Sequence, residues 1–262
     1  MMILETDRLS IAFGGVRAID GVSVAIASGQ VFSIIGPNGS GKTTLINLVS
    51  GIYTPQDGSI RLGGETVTGF APDQLARRGL SRTFQNLQIF SRMSVLQNVM
   101  VGRHRHERTG ILADLLHWPS VARQNAATRD AAVAALARVG LADVAERPAG
   151  SLDYGALKRL EIARALASEP TVLLLDEPAA GCNAVETQEL DRVIRTLVKD
   201  GITVVLVEHD MRLVMNISDR VHVLARGRTL AEGTPEQVRS NPEVIEAYLG
   251  VHGSQEAAHA LD

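Results

Sequence analysis

Gly36-Pro37-Asn38-Gly39-Ser40-Gly41-Lys42-Thr43 is the stretch that decides the fold. It reads G-x-x-x-x-G-K-T and lies between an apolar run at 31–35, typical of a buried strand, and a run from Thr44 that is typical of a helix start. Such a strand–turn–helix forms an anion cradle, because backbone N–H groups point inward and the helix dipole adds about half a positive charge. The pattern predicts a nucleotide site, with Lys42 on the β- and γ-phosphates and the Thr43 hydroxyl on Mg²⁺. The alternative is a glycine-rich loop that only turns the chain.

The composition is that of a soluble globular protein, with 45% apolar and 21% charged residues in a chain of 262. This length allows one large core, or one core with a smaller lobe. The net charge of −3 argues against a general nucleic-acid surface. The single cysteine, Cys182, excludes an internal disulfide and fits a reducing compartment. Since no apolar run approaches the roughly 20 residues that span a bilayer, and the start does not resemble a signal peptide, we expect a cytosolic protein that a partner holds at any membrane.

The order of the expected elements indicates an α/β fold that a helical segment interrupts. Residues 3–35 are β-rich, and residues from about 94 to 164 have helical periodicity. Short buried runs return at 172–175 and 203–207, separated by a helical stretch at 186–199. This alternation predicts a parallel sheet with right-handed crossovers.

The sequence has no internal repeat, so we expect a single nucleotide-binding module. The module is predicted to span 3–250, followed by a disordered tail at 251–262. Its predicted parts are a nucleotide-binding core at 3–86 and 165–232, a helical subdomain at 87–164, and C-terminal helices at 233–250.

Two carboxylates end a strand-like run that begins at Thr171. The carboxyl ends of neighbouring parallel strands share one edge of a sheet, so we expect Asp176 to face the phosphate loop. There Asp176 would hold Mg²⁺ and Glu177 would polarise an attacking water. The alternative is that the acidic pair caps a helix that starts near Pro178.

Two further polar side chains are candidates for the same edge. His209 follows the run 203–207 and would contact the γ-phosphate or the attacking water, although a histidine at a strand end is often only a satisfied surface or core group. Gln85 lies where the sheet-like region gives way to the helical lobe. It would touch Mg²⁺ or the water and report its presence to that lobe, and the alternative is an ordinary loop amide.

With these motifs in this order, the sequence resembles the nucleotide-binding subunits of ABC transporters over nearly the whole chain. The resemblance implies a P-loop NTPase core with a mixed sheet, an N-terminal antiparallel β region and an inserted α-helical subdomain. It also implies ATP and Mg²⁺ as cofactors, and two subunits that sandwich two nucleotides. By resemblance, the motif residues are Phe13 for the aromatic that stacks on adenine, Gly36–Thr43 with Thr44 for the Walker A motif, Gln85 for the Q-loop, Asp176 and Glu177 for Walker B and the catalytic base, His209 for the switch histidine, Ala180–Asn183 for the D-loop, and Leu152–Ala156 for the signature.

Finer features resemble the ATP-binding subunits of branched-chain amino-acid importers. The resemblance implies permease subunits as partners, a solute-binding protein as an indirect partner, and a peripheral position on the cytoplasmic face of the plasma membrane. Relatives that handle urea, other amino acids or hydrophobic and aromatic acids share these features, so the substrate stays open. The features are Phe13-Gly14-Gly15, the long insert around 104–129, Pro178–Gly181, Glu208–Met211 and the ending between Gly233 and Gly250.

The signature departs from the family pattern, Leu-Ser-Gly-Gly-Gln. Asp153 takes the serine position and Ala156 the glutamine position, while Gly155 is kept and Tyr154 lies between them. In the family this segment contacts the γ-phosphate that the opposite subunit holds, and a carboxylate at ~5 Å would repel that charge by roughly 3 kcal/mol. Alternatively, Asp153 only caps the helix that begins near Gly155, or the basic side chains at 158 and 159 neutralise it.

We therefore expect an ATP-hydrolysing importer subunit that pairs with a second ATPase subunit. One rival is a soluble ABC ATPase without a transporter, which would carry tandem modules or long coiled-coil insertions that this sequence lacks. The other is a weakly active or regulatory subunit, suggested by the altered signature. Intact Asp176, Glu177 and His209 argue against that second rival.

Overall fold

The computed structural model describes residues 1–83, 87–104 and 119–249. Its strands are β1 (Met2–Phe13), β2 (Val16–Ala27), β3 (Val31–Ile35), β4 (Asp57–Leu62), β5 (Glu65–Thr66), β6 (Leu80–Arg82), β7 (Val172–Asp176), β8 (Thr203–Val207), β9 (Arg220–Ala225) and β10 (Arg228–Gly233). Its helices are α1 (Lys42–Val49), α2 (Pro72–Arg77), α3 (Val95–Val101), α4 (Pro119–Arg138), α5 (Tyr154–Leu166), α6 (Ala184–Lys199), α7 (Met211–Ile217), α8 (Pro235–Arg239) and α9 (Pro242–Leu249).

The central sheet has the strand order β10-β9-β3-β8-β7-β6. Neighbouring strands are parallel from β9 to β6, whereas β10 pairs antiparallel with β9. All five residues of β3, β7 and β8 are buried, as expected for parallel strands that are covered on both faces. The predicted mixed sheet is thus confirmed, and the carboxyl ends of β3, β7 and β8 share one edge.

The predicted N-terminal antiparallel region is also confirmed. It forms a second sheet in the order β2-β1-β4-β5. Along β2 the buried side chains of Val22, Val24 and Ile26 alternate with exposed residues, so one face of this sheet packs on the core and the other faces solvent.

The helical lobe consists of α3, α4 and α5 in the described residues. Its fully buried side chains Val95, Leu136 and Leu160 belong to the same apolar cluster as Leu173 and Leu206 of the central sheet. The lobe and the sheet therefore share one continuous core.

Two short elements, α2 and β6, were not predicted from the sequence. Helix α2 has six residues with one buried side chain, Leu75, and strand β6 has three residues, so neither is long enough to show a hydrophobic period. Pairing with β7 places β6 at the edge of the central sheet. In the described part of the chain, no helix has the length and apolarity needed to cross a membrane.

Candidate nucleotide-binding site

The phosphate loop runs from the end of β3 to the start of α1, and two of its glycines are required by close packing. Gly36 has φ +152°, and a Cβ there would lie 2.1 Å from the carbonyl oxygen of Leu224. Gly41 has φ +106°, and a Cβ there would lie 2.7 Å from the carbonyl oxygen of Ala18. Because the obstacles are backbone atoms, only glycine fits, and the loop is held in one shape.

The Lys42 side chain forms hydrogen bonds with the backbone of the phosphate loop. Lys42 is the first residue of α1 and is only 7% exposed, and its Nζ donates to the carbonyl oxygens of Gly36 at 2.7 Å and Pro37 at 3.1 Å. Burial lowers the pKa of Lys42, while the nearby carboxylates of Glu177 and Asp176 oppose that shift. An ammonium group in a partly desolvated loop is well placed to pair with phosphate oxygens.

Helix α1 begins without a side-chain cap from the described residues, since its N-cap is Gly41 in a left-handed conformation. The first N–H groups of a helix have no partner within the helix, so those at Lys42, Thr43 and Thr44 are available to an anion. The Ser40 hydroxyl is buried and has no hydrogen-bond partner among the described residues. The glycine cradle, the uncapped helix start and this orphaned hydroxyl together fit a bound nucleotide phosphate.

Asp176 ends β7 at the expected edge of the sheet. It is 3% exposed, and its Oδ2 accepts from Nη2 of Arg82 at 2.8 Å. Arg82, which ends β6, was not predicted from the sequence to be part of the site. Nη1 of the same guanidinium donates to Asn47 Oδ1 at 2.7 Å and to Ser50 Oγ at 2.9 Å. The Asp176 carboxylate and the Thr43 hydroxyl, at the start of α1, are both oxygen donors of the kind that Mg²⁺ prefers.

Glu177 follows in a left-handed conformation, φ +49°, and its N–H donates to the carbonyl oxygen of Val207 at 2.8 Å. A non-glycine residue at positive φ is uncommon and occurs often at functional sites. The alternative that the acidic pair caps a helix near Pro178 is wrong. The next helix, α6, begins at Ala184, and the Asn183 side chain caps it.

His209 lies on the same edge, with its side chain 60% exposed and Nδ1 3.9 Å from Oε2 of Glu177. The preceding residue, Glu208, was missed as a positioning residue. It is fully buried, and its carboxylate accepts from the N–H of Ala179 at 2.8 Å and that of His209 at 3.0 Å. Burial raises the pKa of Glu208, and the backbone N–H donors oppose that shift. Through these two hydrogen bonds, Glu208 connects the turn after Glu177 to the backbone of His209.

Phe13 and Tyr53 form an aromatic pair on the surface. Phe13 is 45% exposed, and its ring meets that of Tyr53 edge to face with centroids 5.1 Å apart. Tyr53 was not singled out from the sequence. The exposed Phe13 ring offers a flat apolar face, as base stacking requires. Gln85 lies outside the described residues, as do the tail from 250 and much of the insert after 104.

Tyr248 of the last helix, α9, approaches the phosphate loop from outside. Its side chain packs against the apolar cluster that contains Ile35, the last residue of β3. Burial raises the pKa of Tyr248 to about 12, and a hydrogen bond with the backbone of Gly36 opposes the shift. The C-terminal helices thus support the loop.

Two comparisons with protein-family models agree with this geometry. The model described as ABC transporter matches residues 19–180, which is more than half of the chain. The chain belongs to the ABC transporter family. A second model, described as Branched-chain amino acid ATP-binding cassette transporter, matches residues 228–254 and so includes α9 and Tyr248.

Curated ABC relatives align over nearly their full length. The high-affinity branched-chain amino acid transport ATP-binding protein BraF of Pseudomonas aeruginosa is 47% identical over 249 residues, covering 95% of this chain and 98% of the relative. LivG of Escherichia coli K12, with the same description, is 45% identical with the same coverage. The probable LivG protein of Archaeoglobus fulgidus is 34% identical over 255 residues, which are 97% of this chain and 98% of the relative.

Solved ABC cassettes share the fold. A nucleotide-free ATP-binding cassette from an ABC transporter has a TM-score of 0.83 at 33% identity, covering 95% of this chain and 99% of that one. An ATP-binding cassette of an ABC transporter in its ADP conformation has the same score, identity and coverage. The predicted fold class and the family resemblance are therefore confirmed.

The segment that the resemblance predicts to be the signature lies at the start of α5, where two carboxylates already occupy backbone donors. Asp153 is the N-cap, and its Oδ1 accepts from the N–H of Ala156 at 2.7 Å. Oε1 of Glu186, from α6, accepts from the N–H of Gly155 at 3.1 Å. The capping interaction considered from the sequence is thus present, and Glu186 adds a second one that was not predicted.

The two basic residues considered from the sequence as neutralising Asp153 have other partners. Nζ of Lys158 lies over the ring of Tyr154, 5.6 Å from its centroid, and Arg159 pairs with Glu189. Asp153 and Glu186 thus place two carboxylates at the start of α5, and the Lys158 ammonium lies beside Tyr154 of the same segment.

A surface groove of 470 Å³ in this ABC protein is lined by residues of both the core and the helical lobe. Three apolar side chains on it are about half exposed: Ile52 after α1, Phe90 before α3, and Val101 at the end of α3. The largely buried ionic side chains of Arg82 and Glu161 also line it. Exposed apolar side chains that lie together with polar ones in a groove are typical of a protein-docking surface.

Proposed function

We propose that this chain hydrolyses ATP and thereby powers an ABC importer. The proposed substrates of that importer are branched-chain or related amino acids. The observation that carries the proposal is the meeting of the phosphate loop, Asp176, Glu177 and His209 at one edge of the central sheet. The import of amino acids is supported by relatives that are 45–47% identical over 95% of the chain and are named branched-chain amino acid transport ATP-binding proteins.

Each residue of the site has a proposed role. Lys42 and the N–H groups of α1 hold the phosphates, and the Phe13 ring stacks on adenine. Thr43, Gln85 and Asp176 hold Mg²⁺, which when bound neutralises charge on the phosphate oxygens. Glu177 accepts a proton from the attacking water, and His209 contacts the γ-phosphate.

The partners follow from the two remaining surfaces. A second ABC ATPase subunit would complete each nucleotide site by adding its own signature, as a heterodimer or a homodimer. The groove between core and lobe would receive a short helix of a permease subunit, with its apolar face on Ile52, Phe90 and Val101. The chain would thus be peripheral on the cytoplasmic face of the membrane, and a solute-binding protein would act only through the permease.

The signature supports a heterodimer with two unequal sites. This chain's own Lys42, Asp176 and Glu177 would work with the partner's signature, whereas Asp153 and Glu186 place negative charge beside the nucleotide that the partner binds. We infer one strong and one weak hydrolytic site, with the strong one on this chain.

Replacing the proposed base tests both the activity and the asymmetry. In the assembled transporter, Glu177→Gln should lower ATP hydrolysis at this site by about a hundredfold or more, because the amide cannot accept a proton, while ATP still binds. Phosphate release, nucleotide binding and uptake of labelled leucine in proteoliposomes measure these effects. Glu169→Gln is the matched control, since Glu169 also has positive φ, +53°, but pairs with Arg103 away from the site.

Hydrolysis at the wild-type rate in Glu177→Gln would contradict the assignment of the base. Equal losses of transport from Glu177→Gln and from the corresponding change in the partner subunit would contradict the asymmetry alone. A complex that hydrolyses ATP without moving any branched-chain amino acid would leave the ATPase in place and overturn the substrate class.

A further inference from the structure

Arg82 joins the two surfaces that the proposed function uses. Its side chain lines the groove between core and lobe, and its guanidinium contacts Asp176 through Nη2 at 2.8 Å. We propose that Arg82 is a positioning residue that transmits the occupation of the groove by the permease to the Asp176 carboxylate. The proposal rests on the function proposed above and adds a route between its two sites.

The contacts of Arg82 make its position specific. The guanidinium bridges three elements, because it belongs to β6, donates to Asn47 of α1 and to Ser50 just beyond it, and pairs with Asp176 of β7. Side-chain exposure is 10% for Arg82 and 3% for Asp176, so the pair is largely desolvated. Hydrogen bonds between charged groups at such depth are strong and depend on direction, so a small shift of β6 changes how the carboxylate is held.

The groove is where such a shift would originate. Among the described strands, β6 is at the edge of the central sheet and pairs with β7 alone. Arg82 is its last residue. Ser50 and Arg82 line the groove together with the apolar side chains of Ile52 and Phe90. A helix seated on those apolar groups would cover this end of β6, fix the guanidinium and thereby hold Asp176 in one orientation.

A purely structural ion pair is the competing explanation, and it makes different predictions. A structural pair would change the stability of the chain but not its response to the permease or to Mg²⁺. A positioning residue changes both responses, even in a variant that keeps the positive charge.

The experiment compares Arg82→Lys with Arg78→Lys in the assembled transporter. Lysine keeps the charge but has a single ammonium, which cannot bridge Asp176, Asn47 and Ser50 in the same way. Arg78 is a matched control because it also pairs with a carboxylate, but on the surface: its Nε and Nη2 donate to Glu65 at 2.9 and 3.0 Å. The first measurement is the ratio of ATP hydrolysis with and without the permease subunits, and the second is the increase in ATP affinity on addition of Mg²⁺.

Arg82→Lys should reduce the stimulation ratio about fivefold or more. It should weaken the Mg²⁺-dependent gain in ATP affinity about tenfold. The amount of permease that copurifies with the chain should stay unchanged, and Arg78→Lys should match the wild type in every measurement. If Arg82→Lys matches Arg78→Lys in both responses, or loses only thermal stability, the proposal is overturned.

Two further measurements distinguish a failure of the proposed function from a failure of the proposal on Arg82. If the wild-type chain hydrolyses ATP equally fast with and without permease subunits, the proposed function fails whatever Arg82 does. If Arg82→Lys does not fold, Asn47→Ala takes its place, because it removes one anchor of the guanidinium and leaves the ion pair with Asp176. Asn47→Ala should lower the stimulation ratio about threefold, as expected for one hydrogen bond, and an unchanged ratio overturns the proposal.

Discussion

Two helix starts in this chain have opposite relations to negative charge. Helix α1 begins at Gly41-Lys42 with no side-chain cap from the described residues and with a buried ammonium beside it. Helix α5 begins with the Asp153 carboxylate on the N–H of Ala156 and the Glu186 carboxylate on the N–H of Gly155. The same backbone geometry is therefore open to an anion in one place and filled by the chain's own carboxylates in the other.

The difference shows that a helix N-terminus is an anion site only when its donors remain available. The dipole and the first N–H groups are common to both helices. Two things differ. The residue before the helix is glycine at 41 and aspartate at 153, and Glu186 of α6 accepts a hydrogen bond from the first turn of α5 only. In the dimer proposed above, this chain would hold a nucleotide at α1 and present a less favourable surface, at α5, to the nucleotide of its partner.

The largest expected effect comes from the buried lysine at the start of α1, and the buried lysine of α5 is its control. Lys42→Met should lower the affinity of the purified chain for ATP about a hundredfold, because an ammonium ~5 Å from a phosphate charge contributes roughly 3 kcal/mol. Lys158, which is 4% exposed and lies in the first turns of α5, is the matched control. Lys158→Met should leave ATP affinity at the wild-type value, as measured by calorimetric titration. Equal losses from both variants would remove the distinction between the two helix starts.

A second prediction compares the two glycines. Gly36→Ala should reduce the free energy of unfolding by about 3 kcal/mol, because the new Cβ would lie 2.1 Å from a backbone oxygen that cannot move away. Gly155→Ala should cost about 1 kcal/mol, because its Cβ would meet Cγ of Glu186 at 2.6 Å, and a side chain can swing aside. Urea denaturation followed by circular dichroism measures both.

Gly39→Ala is the control for backbone strain alone. Gly39 has φ +77°, but a Cβ there meets nothing within 4 Å. If Gly36→Ala is no worse than Gly39→Ala, close packing does not hold the phosphate loop in shape.

The sequence could predict the phosphate loop, Asp176, Glu177 and His209 as one site because local rules sufficed. Each lies at the end of an apolar run, and parallel strands bring such ends to one edge. The fold class follows from the same alternation of strands and helices, and the helical lobe follows from its periodicity.

The contacts of Arg82 and Glu186 could not be predicted in this way. Arg82 pairs with a residue 94 positions away, and Glu186 accepts from a residue 31 positions back. Neither contact leaves a spacing or a period in the sequence, since each depends on how distant elements pack. Strand β6, which carries Arg82, is also too short to be predicted from its pattern.

The smallest expected effect tests the charge at the start of α5. Serine and asparagine cap a helix as well as aspartate does, so Asp153→Ser and Asp153→Asn should leave stability unchanged while they remove the charge. Both variants should raise the ATP turnover of the assembled transporter severalfold, whereas Asp153→Glu, which keeps the charge, should not. The neutral variants remove one of two carboxylates, because that of Glu186 remains 3.1 Å from the backbone nitrogen of Gly155. Unchanged turnover in both neutral variants would mean that Asp153 only caps the helix, and the two nucleotide sites would then have to be treated as equal.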